Sequence, residues 1–73
     1  MKARLRQDIK FLAGNQEFVS KVQQAYVNKQ GESFRVYWKP IGWIMFTLDK
    51  DGVYHGWPES EAWRKQTKLE AFA

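Results

Sequence analysis

Apolar and polar residues alternate with a helical period in the first thirty residues and with a period of two after that. Leu5, Ile9 and Leu12 are spaced i, i+4 and i+7, one face of a 3.6-residue repeat, which predicts a helix over residues 2–13. Gly14-Asn15 interrupts the pattern. Glycine suits a left-handed helix end and asparagine suits the cap of a new helix. A second helix is expected from Gln16 to Lys29, with Phe18, Val22, Ala25 and Tyr26 on one stripe and Val19 at its edge. Glu17 in its first turn and Lys29 in its last complement the helix dipole, and Gly31 supplies a stop.

From Phe34 the pattern is strand-like. Phe34, Val36 and Trp38 alternate with Arg35, Tyr37 and Lys39. Pro40 and Gly42 suit a turn. Trp43 to Leu48 is rich in aromatic and β-branched residues, with faces Ile44/Phe46/Leu48 and Trp43/Met45/Thr47. Asp49-Lys50-Asp51-Gly52 places Asp-Gly between apolar runs, which is hairpin chemistry. Val53 to Trp57 returns as a third strand. A last helix is expected from about Pro58 or Ser60, with Glu59 and Glu61 at its positive end and Ala62, Trp63, Gln66, Leu69 and Phe72 on an uneven apolar stripe. The predicted order is α-α-β-β-β-α. It forms an α+β fold with a three-stranded antiparallel β-meander, two N-terminal helices and one C-terminal helix, in one domain spanning residues 1–73.

Length and composition narrow the chemistry. A 73-residue chain buries a modest share of its surface. Small domains of this kind often rely on disulfides or a structural metal. Cysteine is absent and His55 is the single histidine, so thiolate sites and imidazole clusters are excluded. Large rings are the alternative source of buried area, and there are 4 Trp, 3 Tyr and 5 Phe. The longest apolar run, Ile41 to Leu48, is far short of the roughly 20 residues that span a bilayer. Membrane insertion is therefore not expected. The basic first residues are not followed by an apolar core, so no secretory leader is expected and the expected compartment is cytoplasmic.

Charge adds direction. Of a net +4, the whole excess lies in residues 1–30, where six cations face Asp8 and Glu17. Such an end favours an anionic partner. Lys2, Arg6 and Lys10 are spaced i, i+4 and i+8, so a helix would align them as a phosphate-facing row, with Arg4 off that row. The second candidate surface is the sheet face opposite Phe34, Val36, Trp38, Ile44, Phe46 and Leu48, a set that Val53 and Trp57 of the third strand are expected to join. It would carry Arg35, Tyr37, Lys39, Trp43, Met45, Thr47 and Tyr54. Flat rings mixed with cations suit single-stranded nucleic acid, whose bases stack while its phosphates are neutralised. The competing arrangement has helices on both sheet faces, with Trp43 and Tyr54 in the core.

Other motifs carry less. If Gly52 stood at the sixth position of a calcium loop, Thr47 and Pro58 would occupy its first and twelfth positions, and neither is an adequate ligand. His55 has no metal partner in the sequence, and Ser20, Ser33 and Ser60 have no nucleophile-elbow context. Glycines are scattered, with no phosphate-cradling loop. Gly56 among bulky residues suggests a bulge or the close approach of another backbone. The expected function is therefore binding rather than catalysis, with no cofactor and no metal. A small nucleic-acid-binding accessory or regulatory protein would use Lys2, Arg4, Arg6, Lys10, Arg35, Tyr37, Lys39, Trp43 and Tyr54. The alternative is a protein-interaction module, such as an adaptor, inhibitor or small subunit that binds an acidic partner or self-associates. Its anchors would be the abundant Trp and Tyr.

Overall fold

The computed structural model describes residues 1–65; the expected stripe residues Gln66, Leu69 and Phe72 lie outside them. The fold class is α+β, and the sheet is four-stranded and mixed rather than a three-stranded meander. Its strands are β1 (Ala3–Leu5), β2 (Ser33–Trp38), β3 (Gly42–Leu48) and β4 (Tyr54–Pro58). They lie in the order β1-β4-β3-β2, with β1 parallel to β4 and the other pairs antiparallel. A 3-10 helix (Gln7–Gly14) and helix α1 (Gln16–Asn28) connect β1 to β2.

The helix expected over residues 2–13 is the largest departure. Its first part is instead β1, whose backbone completes the sheet beside β4. Tyr54 N–H donates to the Lys2 carbonyl at 2.9 Å, and Arg6 N–H donates to the Gly56 carbonyl at 2.8 Å. Its second part is helical, but with the 3-10 period. Ile9 and Leu12 are three residues apart, so a 3.0-residue turn aligns them as well as an α-helix does. Both are buried. Gly14 ends this segment without the left-handed conformation expected of it.

Helix α1 follows its sequence signals. Asn15 Oδ1 accepts from the Phe18 N–H at 3.0 Å, satisfying one of the donors a helix start leaves free. Phe18 and Val22 are buried, and Ala25 and Tyr26 pack against the core. Lys29 closes the last turn with its ammonium 4.0 Å from the Tyr26 ring centroid, and Gly31 follows at φ 110°.

The core lies on one side of the sheet. Phe34 and Val36 of β2, Ile44 and Phe46 of β3 and Tyr54 of β4 meet Ile9, Leu12, Phe18 and Val22 of the helical layer, with Ile41 from the β2–β3 turn. Phe34 stacks on Phe46 with centroids 4.8 Å apart, and Tyr26 meets Tyr54 edge-on at 5.5 Å. Aromatic pairs of this kind add to the area they bury.

Strand β4 carries the second correction. Val53 and Trp57 were expected in the core and Tyr54 outside. Instead Tyr54, Gly56 and Pro58 face inward, opposite Leu48, Phe46 and Ile44. A shift of one residue reverses every side chain of a strand. Gly56 owes its identity to Phe46, not to a bulge or a neighbouring backbone. A Cβ at position 56 would stand 2.5 Å from Phe46 Cε2. Of the two expected starts of the last helix, the structure takes Ser60. Pro58 belongs to β4, and Ser60 Oγ accepts from the Trp63 N–H at 3.3 Å to open the helical residues 61–65. Among the described residues no helix is long and apolar enough to cross a membrane.

Candidate nucleic-acid interface

Helical layer and core occupy one side of the sheet, so the other side is open among the described residues. Strand alternation decides what stands there. In β2 the outward residues are Ser33, Arg35 and Tyr37, in β3 they are Trp43, Met45 and Thr47, and in β4 they are His55 and Trp57. Register joins these residues into rows. Tyr37 pairs with Trp43, Arg35 pairs with Met45 and Met45 with Trp57, and Thr47 pairs with His55 and His55 with Arg4 of β1. Strands lie about 4.8 Å apart, so β2 to β1 spans roughly 14 Å of ring and cation.

Where β2 and β3 adjoin, one corner of the face holds a four-residue cluster. Trp43 meets Tyr37 edge-on at 5.4 Å, and the Arg35 guanidinium lies 4.4 Å from the Trp43 ring centroid. Glu59, just beyond β4, accepts from Arg35 Nε at 2.8 Å and from Nη2 at 3.4 Å. That paired contact fixes the guanidinium beside the indole. Tyr37 and Trp43 remain 46% and 45% exposed, far above what a core ring retains. Trp38, Trp57 and Trp63 are half-buried.

At the β4 end, Arg4, Arg6, His55, Trp57 and Arg64 line a hollow of about 310 Å³. At the β2 end, Lys39 shares a hollow of about 320 Å³ with Lys21, Trp38 and Tyr37, and Lys21 Nζ stands 5.6 Å from the Trp38 ring. The second hollow wraps the β2 edge, since Lys21 and Trp38 belong to the helical side, so both edge strands of the sheet carry a cationic hollow.

The expected site residues divide accordingly. Arg35, Tyr37 and Trp43 stand together on the open face, and Lys39 lies at its edge. Tyr54 is removed from it: the ring is 6% exposed and packs on Phe34. Lys2, Arg6 and Lys10 form no helical row, because Lys2 and Arg6 flank a strand and Lys10 lies in the 3-10 helix on the core side. Arg4 joins the face through its pairing with His55. Sequence reasoning missed His55, Trp57 and Arg64. The first two follow from the reversed parity of β4. Arg64 depends on where residues 61–65 pack, and no short-range signal encodes that.

His55 has an acidic neighbour that its sequence context did not reveal. Its Nε2 is hydrogen-bonded to Asp49 Oδ2, while Asp49 Oδ1 accepts from the backbone N–H groups of Asp51 at 2.8 Å and Val53 at 2.9 Å. The Val53 N–H, then His55 and the Asp51 N–H hold the Asp49 carboxyl below its usual range, and partial desolvation opposes them. This pair closes the β3–β4 hairpin. Among the described residues no group of three or more His, Cys, Asp or Glu side chains is placed to hold a metal ion. Comparison with protein-family models, with curated proteins and with solved structures finds no match.

Proposed function

We propose that this chain binds single-stranded nucleic acid on the open face of its sheet, as a small accessory or regulatory protein. The observation that carries this reading is the placement of Tyr37, Trp43 and Trp57 beside Arg35 and Arg4 on a sheet face that no described element covers. Bases stack on such rings at about 1–3 kcal/mol each with little regard to sequence, and the flanking cations meet the phosphates. Two features favour a single strand over a duplex. Tyr37 and Trp43 are exposed where unstacked bases can reach them, and helix α1 and the 3-10 helix lie on the opposite side of the sheet, away from a major groove. The edge hollows extend the positive surface along the strand's path.

Fluorescence anisotropy with labelled single-stranded DNA, single-stranded RNA and duplex DNA at low salt tests the reading. Both single strands are expected to bind more tightly than the duplex, with affinity falling steeply as salt rises. Trp43→Ala is expected to weaken single-strand binding roughly tenfold or more. The absence of binding to every form at low salt would overturn it.

A further inference from the structure

We propose that the hollow where β1 and β4 meet, at the β1 edge of the sheet, is a binding site for a phosphate group, with Trp57 as the stacking ring beside it. Its volume of about 310 Å³ falls at the small end of ligand pockets. Its wall brings together three arginines from two distant parts of the chain: Arg4 of β1 with Arg6 just after it, and Arg64 of the C-terminal helical turn. Like charges gathered in one concavity repel, and a bound anion relieves that repulsion. A planar guanidinium fork also matches a phosphate's oxygens in pairs.

The three arginines are incompletely engaged. Arg64 Nη2 donates to the Glu59 carbonyl at 3.3 Å, but its Nε is buried with no acceptor among the described residues. Arg6 faces Asp8 at 3.6 Å, beyond good hydrogen-bond length. Arg4 is exposed and makes no ion pair among the described residues. Asp8 does not line the hollow; Glu61 stands in the adjoining one with Arg6, Arg64 and Lys65. Cations therefore outnumber anions around the site. Trp57 lines the hollow and also belongs to the open sheet face, so a base or sugar attached to the phosphate would reach it there.

The site deepens the nucleic-acid reading and rests on it for the source of the phosphate, which is either a terminal phosphomonoester or an internal phosphodiester. Titration of the ¹⁵N-labelled protein with inorganic phosphate, followed at the Arg64 Nε–H and Trp57 indole signals, tests the site itself. Both signals are expected to move while the Trp43 indole does not. A phosphate titration that leaves Arg64 and Trp57 unmoved would overturn the site. Oligonucleotides with and without a 5′-phosphate then locate the source. A terminal group predicts roughly tenfold tighter binding of the phosphorylated strand, a gap that closes in Arg64→Gln and Arg4→Gln. Equal binding of both strands, weakened in both variants, supports the site with an internal phosphodiester. Phosphate shifts without any oligonucleotide binding support the site and remove the nucleic-acid reading. Oligonucleotide binding that is weakened by Trp43→Ala but of equal strength in wild type and Arg64→Gln removes the site and leaves that reading standing. Melting curves on both variants establish that they are folded.

Discussion

At the residue scale, two positions have consequences that can be measured. Gly56 stands under the Phe46 ring, which is fully buried and stacked on Phe34. Burial and stacking on Phe34 leave the ring little room to retreat. Gly56→Ala should therefore destabilise the fold by about 1–3 kcal/mol, the usual cost of overfilling a packed core. Urea unfolding should show this as a lower midpoint with an unchanged slope. Glu59 has the opposite expectation. It occupies Arg35, the cation that lies over Trp43. The pair is well exposed, so its contribution to stability is small, about 0–1 kcal/mol. Glu59→Gln should leave the melting temperature nearly unchanged and tighten oligonucleotide binding by up to about fivefold, since a phosphate no longer competes with a carboxylate for Arg35. Weaker binding in this variant would mean that Glu59 supports the ring cluster more than it obstructs it.

At the element scale, the β3–β4 hairpin depends on one carboxylate. Asp49 accepts two backbone N–H groups and the His55 ring, which lowers its pKa below that of the unfolded chain. A lowered folded-state pKa contributes stability that is present above the unfolded value near 3.8 and is lost as pH falls through the folded value. Acid should loosen this hairpin in the window from about pH 4 downward. Asp49→Asn keeps one acceptor oxygen but removes the charge, so its acid unfolding curve should be flatter than the wild type's over that window. Matching pH profiles for the two proteins would show that the carboxylate charge is not what matters there. This hairpin, α1 and the β2–β3 pair were readable in the sequence, because each is fixed by local signals: Asp-Gly, the Asn15 cap, and strict alternation from Phe34 to Trp38. Strand β1 was not. Ala3-Arg4-Leu5 is too short to show a period, and its partner lies about fifty residues away. Leu5, Ile9 and Leu12 also bury in either arrangement, so their spacing could not separate strand plus 3-10 helix from one α-helix. The inward face of β4 was equally hidden. Val53, Tyr54 and Trp57 put bulky apolar residues on both parities, and only the fit of Gly56 beneath Phe46 chooses between them.

At the scale of the whole molecule, charge and packing occupy opposite sides of one sheet, and the two should separate in experiment. The sequence places the net positive charge in the first thirty residues, but the fold redistributes its use. Arg4 reaches the open face, Lys21 reaches its far edge, and Lys29 is spent on Tyr26 at the end of α1. If binding came from diffuse positive charge, neutralising any one cation would change the salt dependence similarly. A defined strand path predicts otherwise. Single strands release about 0.7 counterion per phosphate neutralised. Arg4→Gln and Lys39→Gln should each make the slope of log affinity against log salt shallower by roughly 0.7, whereas Lys29→Gln should leave it unchanged. Tyr37→Ala and Trp43→Ala should lower affinity at every salt concentration with the slope preserved, because stacking releases no ions. Their melting temperatures should change little, since both rings are about half exposed. Equal slope changes for Lys29→Gln and Arg4→Gln would reduce the interface to a general electrostatic attraction and remove the sheet face from the account.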